Sequence, residues 1–365
     1  MPTVLCTTCQ KPYPVVGMPH RCPDCGGVYD FDGSPVFEKE KVETSLPGIW
    51  RYRHTFGLFP NAPLITLGEG NTPLIWDDFR GGRVGIKLET LNPTGSYKDR
   101  GSAVLVSQLM ARGVHEAVED SSGNAGASFA GYAARAGLKA RIFVPDYASG
   151  PKRLQIEMYG AELVRVPGPR SAAAEAVLKA VAQGGVYASH ASLPFGLMGI
   201  ATIAYELWES IGDSIGTVIA PVGQGGLLLG LIRGFSALHQ KNLIKQPPYI
   251  IGVQAKNCAP LWTAFTKGKQ ALDSVVEGVT VAEGVRTLHP VHLSALLSEL
   301  HPGNGEYLAV DEENILPARA DLAHRGIYVE PTSAIVWNAL NQVIGKVPEP
   351  IVLIMSGSGL KYIPS

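Results

Sequence analysis

Charge is scarce in this chain. Of 365 residues only 17% are Asp, Glu, Lys or Arg, and 31 basic residues nearly cancel 32 acidic ones, for a net charge of −1. A balance this even offers no electrostatic footprint for nucleic acid or for an anionic membrane surface. Long apolar runs are missing too: none approaches the ~20 residues that span a bilayer. The first residues, Met1 to Cys6, hold no basic stretch followed by an apolar one. A secretory leader is therefore not expected, and a cytoplasmic location is. Repeats and low-complexity tracts are absent. What the sequence has in quantity is apolar residues, at 45%, and glycine, at 42 positions. That profile suits a large buried core shared among about two to three domains.

Cysteine is rare and unevenly placed. Four of five cysteines fall within the first 25 residues, as Cys6-Thr-Thr-Cys9 and Cys22-Pro-Asp-Cys25, and the fifth is Cys258. In a cytosolic chain two such pairs argue for a metal rather than for disulfides. Each two-residue gap lets both sulfurs of a pair turn onto one ion, and two pairs complete a tetrahedral thiolate site for structural zinc. A degenerate knuckle with free thiols is the alternative. A ribbon that reads nucleic acid is disfavoured, because Lys11 and Arg21 face Asp24, Asp30 and Asp32 in the same stretch.

Residues 1–45 read as this zinc-ribbon-like segment followed by an irregular strap. Beyond it, short apolar runs alternate with longer helical patterns. Strands are expected at 84–87, 117–119, 140–144, 162–166, 217–222, 250–254 and 351–356. Helices are expected at 100–112, 125–136, 151–159, 172–183, 200–211, 227–238, 312–325 and 332–344. Such alternation implies an α/β protein with parallel sheets covered on both faces. The reading divides into a large domain, 46–98 plus 199–365, and a small one, 99–198.

Three glycine-rich turns stand out beside one lysine. The lysine is Lys98, within Asn92-Pro-Thr-Gly-Ser-Tyr-Lys-Asp-Arg-Gly101. The turns are Ser121-Ser-Gly-Asn-Ala-Gly126, Gly223-Gln-Gly-Gly-Leu227 and Ser356-Gly-Ser-Gly-Leu-Lys361. Gly223–Leu227 follows an expected strand and opens an expected helix, so its outward amides and the helix dipole can hold a phosphate without any cation. Taken alone, a tight strand-to-helix turn explains it equally well. A primary amine, an anion-binding turn and a hydroxyl together suffice to hold pyridoxal phosphate.

In combination these segments resemble the threonine synthases, within the fold-type II pyridoxal-phosphate enzymes. The likeness runs from about Leu67 to Leu360. It is carried by Leu67-Gly-Glu-Gly-Asn-Thr-Pro-Leu74, by Lys87-Leu-Glu89, by the Lys98 motif, by Gly252-Val-Gln-Ala255 with Ala259-Pro260, by Glu330-Pro331, and by the last turn. The four-cysteine prefix is similar to one in archaeal-type members. The resemblance implies two three-layer αβα open-sheet lobes with an N-terminal knuckle. It implies that Lys98 forms an imine with pyridoxal 5'-phosphate and then serves as the base at Cα. It places Asn124 on the ring's phenolic oxygen, Ser356 on the pyridine nitrogen, and Gly223, Gln224, Gly225, Gly226 and Leu227 on the phosphate. Ser122, Gly123, Ala125 and Gly126 would meet the substrate carboxylate. A neutral hydroxyl at the ring nitrogen favours elimination and replacement over transamination. The implied reaction converts O-phosphohomoserine and water to threonine and phosphate, and the implied assembly is a homodimer acting on a small amino acid, with no nucleic acid or membrane partner.

Two departures accompany the likeness. Where the family carries arginine and asparagine for the substrate phosphate, this chain has Gly196 and Leu193, and Ala125 replaces a common threonine. His190 and Ser192 are the nearby polar substitutes, with Arg100, Arg153 and Arg286 as arginines of unassigned position. In addition, Thr280-Val-Ala-Glu-Gly284 resembles a segment of serine/threonine ammonia-lyases, making Glu283 a candidate proton relay. An ammonia-lyase or another β-replacement synthase is the alternative activity. A non-catalytic protein that binds a partner through the knuckle is the alternative of a different class.

Overall fold

The computed structural model describes residues 3–147 and 150–363. In chain order the strands are β1 (Val4–Cys6), β2 (Tyr29–Phe31), β3 (Leu74–Phe79), β4 (Gly82–Lys87), β5 (Glu116–Glu119), β6 (Lys139–Pro145), β7 (Glu162–Val166), β8 (Val186–Tyr187), β9 (Thr217–Pro221), β10 (Tyr249–Ala255), β11 (Gly305–Val310) and β12 (Ile351–Ile354). The α-helices are α1 (Lys98–Ala111), α2 (Asn124–Ala136), α3 (Pro151–Met158), α4 (Arg170–Ala182), α5 (Gly196–Ile211), α6 (Gly226–Gln240), α7 (Pro260–Lys267), α8 (Leu293–Glu299), α9 (Ile315–His324) and α10 (Pro331–Val343). Among the described residues no helix is long and apolar enough to cross a membrane.

The chain forms two compact units. The first holds residues 1–70, 92–200 and 363–365, and the second holds 71–91 and 201–362. The strap before Gly70 thus packs with the first unit. Its fastening is a buried carboxylate, Glu69. That carboxylate accepts from Trp50 Nε1 at 2.9 Å, Thr66 Oγ1 at 3.1 Å, the Leu67 amide at 3.0 Å and Tyr132 Oη at 2.7 Å.

In the first unit four parallel strands run in the order β7-β6-β5-β8. Val118, Phe143 and Val177 form a small core where α4 meets this sheet. β8 has only two residues and no periodicity, so no strand signal marks it in the linear chain. Its pairing of Val118 with Tyr187 nevertheless brings the chain after Tyr187 beside the end of β5.

The second unit holds a six-stranded sheet, ordered β11-β10-β9-β12-β4-β3. Every residue of β9 and β12 is buried. Successive side chains point to opposite faces, so both faces of these strands are covered. The expectation of wholly parallel sheets needs correction at one edge, where β3 pairs antiparallel with β4. The turn between them places Arg80 and Gly81 at φ of 48° and 83°. Two successive positive φ angles match the twist of a two-residue hairpin. The core of this unit gathers Ile219, Ile251, Val253, Leu353 and the α10 face Ile335, Val336, Leu340. Beneath it, Lys87 Nζ donates to Glu206 at 2.7 Å and to the Thr72 carbonyl at 2.6 Å, a buried ion pair that ties β4 to α5.

Candidate active site

In the first unit the lysine stands where a helix begins. Lys98 opens α1 and is half-buried, its Nζ 5.0 Å from the Tyr97 ring centre. The next residue, Asp99, fixes the geometry. Its fully buried carboxylate accepts from the Thr94 amide at 2.6 Å, from Thr94 Oγ1 at 2.5 Å and from Ser128 Oγ at 2.6 Å. Thr94 belongs to the turn before Lys98, and Ser128 lies one turn into α2. One carboxylate therefore locks the lysine's helix to the helix that opens at Asn124. Neither Asp99 nor Ser128 could be singled out from sequence, because a bond across 29 residues leaves no periodic trace.

The Ser121–Gly126 turn is tight. A Cβ on Gly126 would lie 1.8 Å from the Ser121 carbonyl oxygen, so only glycine permits this approach. Ser121 Oγ accepts from the Gly123 amide at 3.2 Å. Ser122, Gly123, Ala125 and Gly126 thus surround the amino end of α2, where backbone amides lack helical partners and a carboxylate is favoured.

At the end of β5 two acids precede this turn. Glu119 is almost wholly buried, and its Oε2 accepts from the Ser121 amide. Its other oxygen, Oε1, lies 3.2 Å from His190 Nδ1. Burial and the neighbouring Asp120 charge push the Glu119 carboxyl up to about 8, against the pull of the Ser121 amide, Arg170 and Lys98. Burial and the Lys98 charge push His190 well below the usual imidazole range. Asp120 is neutralised differently, accepting from Arg170 NH1 at 2.7 Å and Tyr187 Oη at 2.6 Å. Glu119 escaped the sequence reading, since 71 residues separate it from His190 and only the β5–β8 pairing joins them.

The departures around Gly196 have a packing cause. A Cβ on Gly196 would stand 3.1 Å from the Gly101 carbonyl, and one on Gly199 would stand 2.0 Å from the Arg100 carbonyl. α1 and α5 therefore cross closely, with glycine required at 199 and a side chain at 196 admitted only if the Gly101 carbonyl shifts by a few tenths of an ångström. Leu193 and Phe195 are buried, and Phe195 packs edge-on against Tyr13 of the knuckle at 5.0 Å. Of the unassigned arginines, Arg100 is fully buried, Arg153 lies 3.8 Å from Glu157, and Arg286 pairs with Glu277 at 3.1 Å.

In the second unit the glycine turn follows β9 and opens α6. Gly225 caps that helix at φ 98°, and a Cβ there would meet Leu296 Cδ1 at 2.4 Å. A Cβ on Gly223 would meet the Gly284 carbonyl at 2.7 Å. The Gln224 side chain is tied down by its Oε1, which accepts from the Val291 amide at 3.1 Å. The first amides of α6, from Gly226 and Leu227, point out of the helix end without helical acceptors. Ser356 follows β12, the sheet neighbour of β9, so the turn and the hydroxyl lie at the carboxyl ends of adjacent parallel strands. That crevice is where open α/β sheets bind ligands. Ser356 is buried with its Oγ 3.0 Å from Ser333 Oγ, and Ser333 also accepts from the Gly357 amide at 2.8 Å. Ser333 is a further site residue with no sequence signal. Glu283 is exposed, and its neighbour Gly284 donates to Thr332 Oγ1 at 3.0 Å, so this segment walls the glycine turn.

The Pyridoxal-phosphate dependent enzyme family model matches residues 65–357. The chain belongs to that family. It is 32% identical to the threonine synthase of Methanocaldococcus jannaschii, across 98% of this chain and 92% of that protein. It is 31% identical to the threonine synthase of Synechocystis, across 85% and 82%. Among solved structures, a T.th. threonine deaminase is 27% identical with a TM-score of 0.67, covering 80% of this chain and 94% of that one. Maize serine racemase, at 22% identity and a TM-score of 0.69 over 79% and 88%, shares the fold. The chain is thus a fold-type II, pyridoxal-phosphate-dependent lyase of the threonine-synthase kind. The residues fit the cofactor: the cradle at Gly223 and Gly225 excludes side chains and leaves helix-end amides, and a buried hydroxyl stands on the next strand.

Within the knuckle, β1 and β2 pair antiparallel, and the ligating atoms of Cys6, Cys9, Cys22 and Cys25 lie within 4.8 Å of one another. The Sγ atoms of Cys6 and Cys25 are 3.5 Å apart, and those of Cys9 and Cys22 are 3.7 Å apart. A tetrahedral zinc site with Zn–S of about 2.3 Å has an S–S edge of about 3.8 Å.

Proposed function

We propose that this enzyme converts O-phosphohomoserine and water to threonine and phosphate. Similarity to threonine synthases along nearly the whole chain supports the reaction. The observation that carries the site is the Asp99 lock, which holds the Lys98 turn and the Asn124 helix in one fixed arrangement.

When bound, the cofactor supplies an electron sink for carbanions next to the substrate amine. Lys98 is the residue that would hold its aldehyde carbon, and its amine would take and return the Cα proton. Asn124 donates to the phenolic oxygen. Amides of Gly223, Gln224, Gly225, Gly226 and Leu227 hold the cofactor phosphate, and Ser356, oriented by Ser333, meets the ring nitrogen. Ser122, Gly123, Ala125 and Gly126 orient the substrate carboxylate at the end of α2. His190 meets the substrate's distal anion, the task that Gly196 cannot perform.

The knuckle binds structural zinc through Cys6, Cys9, Cys22 and Cys25, and the active assembly is a cytoplasmic homodimer. Metal analysis of purified protein should return one zinc per chain, and a sedimentation run should return twice the chain mass.

A second reading, a serine/threonine ammonia-lyase, is favoured by Gly196 and Leu193, which supply no cation or amide for a substrate phosphate at those positions. Incubation with O-phosphohomoserine separates the two. Threonine and phosphate in equal amounts support the synthase. Keto acid from serine or threonine, with no phosphate released from O-phosphohomoserine, replaces it with the lyase.

A further inference from the structure

Glu119 has no role in the reading given so far, yet it is almost wholly buried and close enough to Lys98 to feel its charge. Its two oxygens are committed to different partners. Oε2 accepts the Ser121 amide, so that oxygen must remain an acceptor. Oε1 faces His190 Nδ1 at 3.2 Å. His190 sits in a turn closed by Ser189 Oγ, which accepts from the Ser192 amide at 3.2 Å, so the imidazole is presented from a fixed loop. Nδ1 is used, and Nε2 is the only ring nitrogen left for a ligand.

We infer that Glu119 is a positioning residue that sets the tautomer of His190, keeping imidazole Nε2 a hydrogen-bond donor for the anionic group of the substrate. This rests on the reading that His190 meets that anion near Lys98.

One proton decides the arrangement. With Glu119 protonated, its Oε1–H donates to Nδ1, and a neutral imidazole must then carry its own hydrogen on Nε2. With Glu119 ionised, Nδ1–H donates to the carboxylate, and Nε2 becomes an acceptor that repels an anion. The groups facing this pair are Lys98 on α1, Asp120 and Ser121 after β5, Arg170 on α4 and Tyr187 on β8. Asp120 carries its own cation in Arg170. The balance of burial and the Asp120 charge over Lys98 and Arg170 favours the protonated acid at neutral pH. A neutral Glu119 also removes a negative charge from beside a bound dianion. The acid's folded value is raised, so the protonated arrangement is complete at lower pH and is lost as pH rises through about 8.

Glu119→Gln tests the inference because its amide can satisfy only one arrangement. The amide oxygen must face the Ser121 N–H, which leaves the NH₂ facing Nδ1, a permanent copy of the protonated acid. The experiment labels histidine with ¹⁵N in the full-length holoenzyme and reads the His190 tautomer by long-range ¹H–¹⁵N spectra, assigned with His190→Gln. Wild type should show the Nε2–H form at about pH 6.5 and shift toward Nδ1–H above about pH 8, whereas E119Q should stay in the Nε2–H form throughout. In parallel, KM for O-phosphohomoserine should rise about ten-fold between about pH 7 and about pH 9 in wild type, and that rise should be absent in E119Q. An Nδ1–H form in wild type at about pH 6.5, or in E119Q, overturns the inference. So do superimposable KM profiles for the two proteins. If E119Q does not fold, the wild-type titration alone decides. Loss of turnover on O-phosphohomoserine would sink the proposed reaction and leave the tautomer result standing, so the two failures are distinguishable.

Discussion

Arg112 fastens the knuckle to the first unit, and Arg112→Ala should release it. Its NH1 donates to three knuckle carbonyls, Pro14 at 2.9 Å, Val15 at 3.0 Å and Gly17 at 3.2 Å. The same guanidinium lies over the rings of Tyr13 at 5.1 Å, Phe59 at 4.6 Å and Phe195 at 5.6 Å. Only the Pro14 bond is partly buried, so it alone merits the ~1.5 kcal/mol of a hydrogen bond from a charged group. The two exposed bonds add about 0.5 kcal/mol each. Of the ring contacts only that to Tyr13 joins the knuckle, and it adds about 0.5 kcal/mol. Docking should weaken by roughly 3 kcal/mol, about two orders of magnitude in local opening. Tyr13 and Phe31 both pack against Phe195, five residues after His190, so release should also loosen the His190 loop. Hydrogen exchange read by mass spectrometry should show faster exchange in peptides covering 1–31 and 187–197, with β9 and β10 unchanged as the internal control. Exchange in 187–197 equal to wild type would refute the view that the knuckle supports this loop.

Lys98→Ala should give a colourless protein with no covalently held cofactor, while its melting curve stays close to wild type. A retained visible absorption band would move the covalent role elsewhere. Gly126→Ala must displace the Ser121 carbonyl, which a Cβ would approach to 1.8 Å. We expect KM to rise at least about ten-fold with a stability loss of about 1–3 kcal/mol, measured by steady-state kinetics and urea unfolding. Glu69→Ala leaves the buried Trp50 and Tyr132 donors without their acceptor. The expected cost is about 3–5 kcal/mol, seen as a lower melting temperature and as increased exposure of Trp50 fluorescence. A change below ~0.5 kcal/mol would mean water replaces the carboxylate at no cost.

The linear chain announced those parts of the site whose chemistry is local. The Lys98 turn, the glycine turns after β5 and β9, and the Ser356 turn are short segments in which backbone conformation and residue type suffice. The four cysteines were equally legible, because each pair needs only a two-residue gap. Sheet strands such as β9 and β12 were readable because continuous burial forces an apolar run. The β3 hairpin was missed because its edge position leaves the strand mostly half-buried or exposed without regular alternation, and it carries two aspartates, a weak strand signal. β8 was missed because two residues carry no period.

Residue order alone thus determined the cofactor class, the metal-type spacing and the α/β alternation, since each depends on neighbours close together along the chain. Only tertiary structure decided which acid meets which base. Asp99 reached Ser128, Glu119 reached His190 and Ser356 reached Ser333 through strand pairing and helix packing over separations of 29, 71 and 23 residues. The same packing brings α5 onto α1 at Gly196, where a Cβ would stand 3.1 Å from the Gly101 carbonyl oxygen.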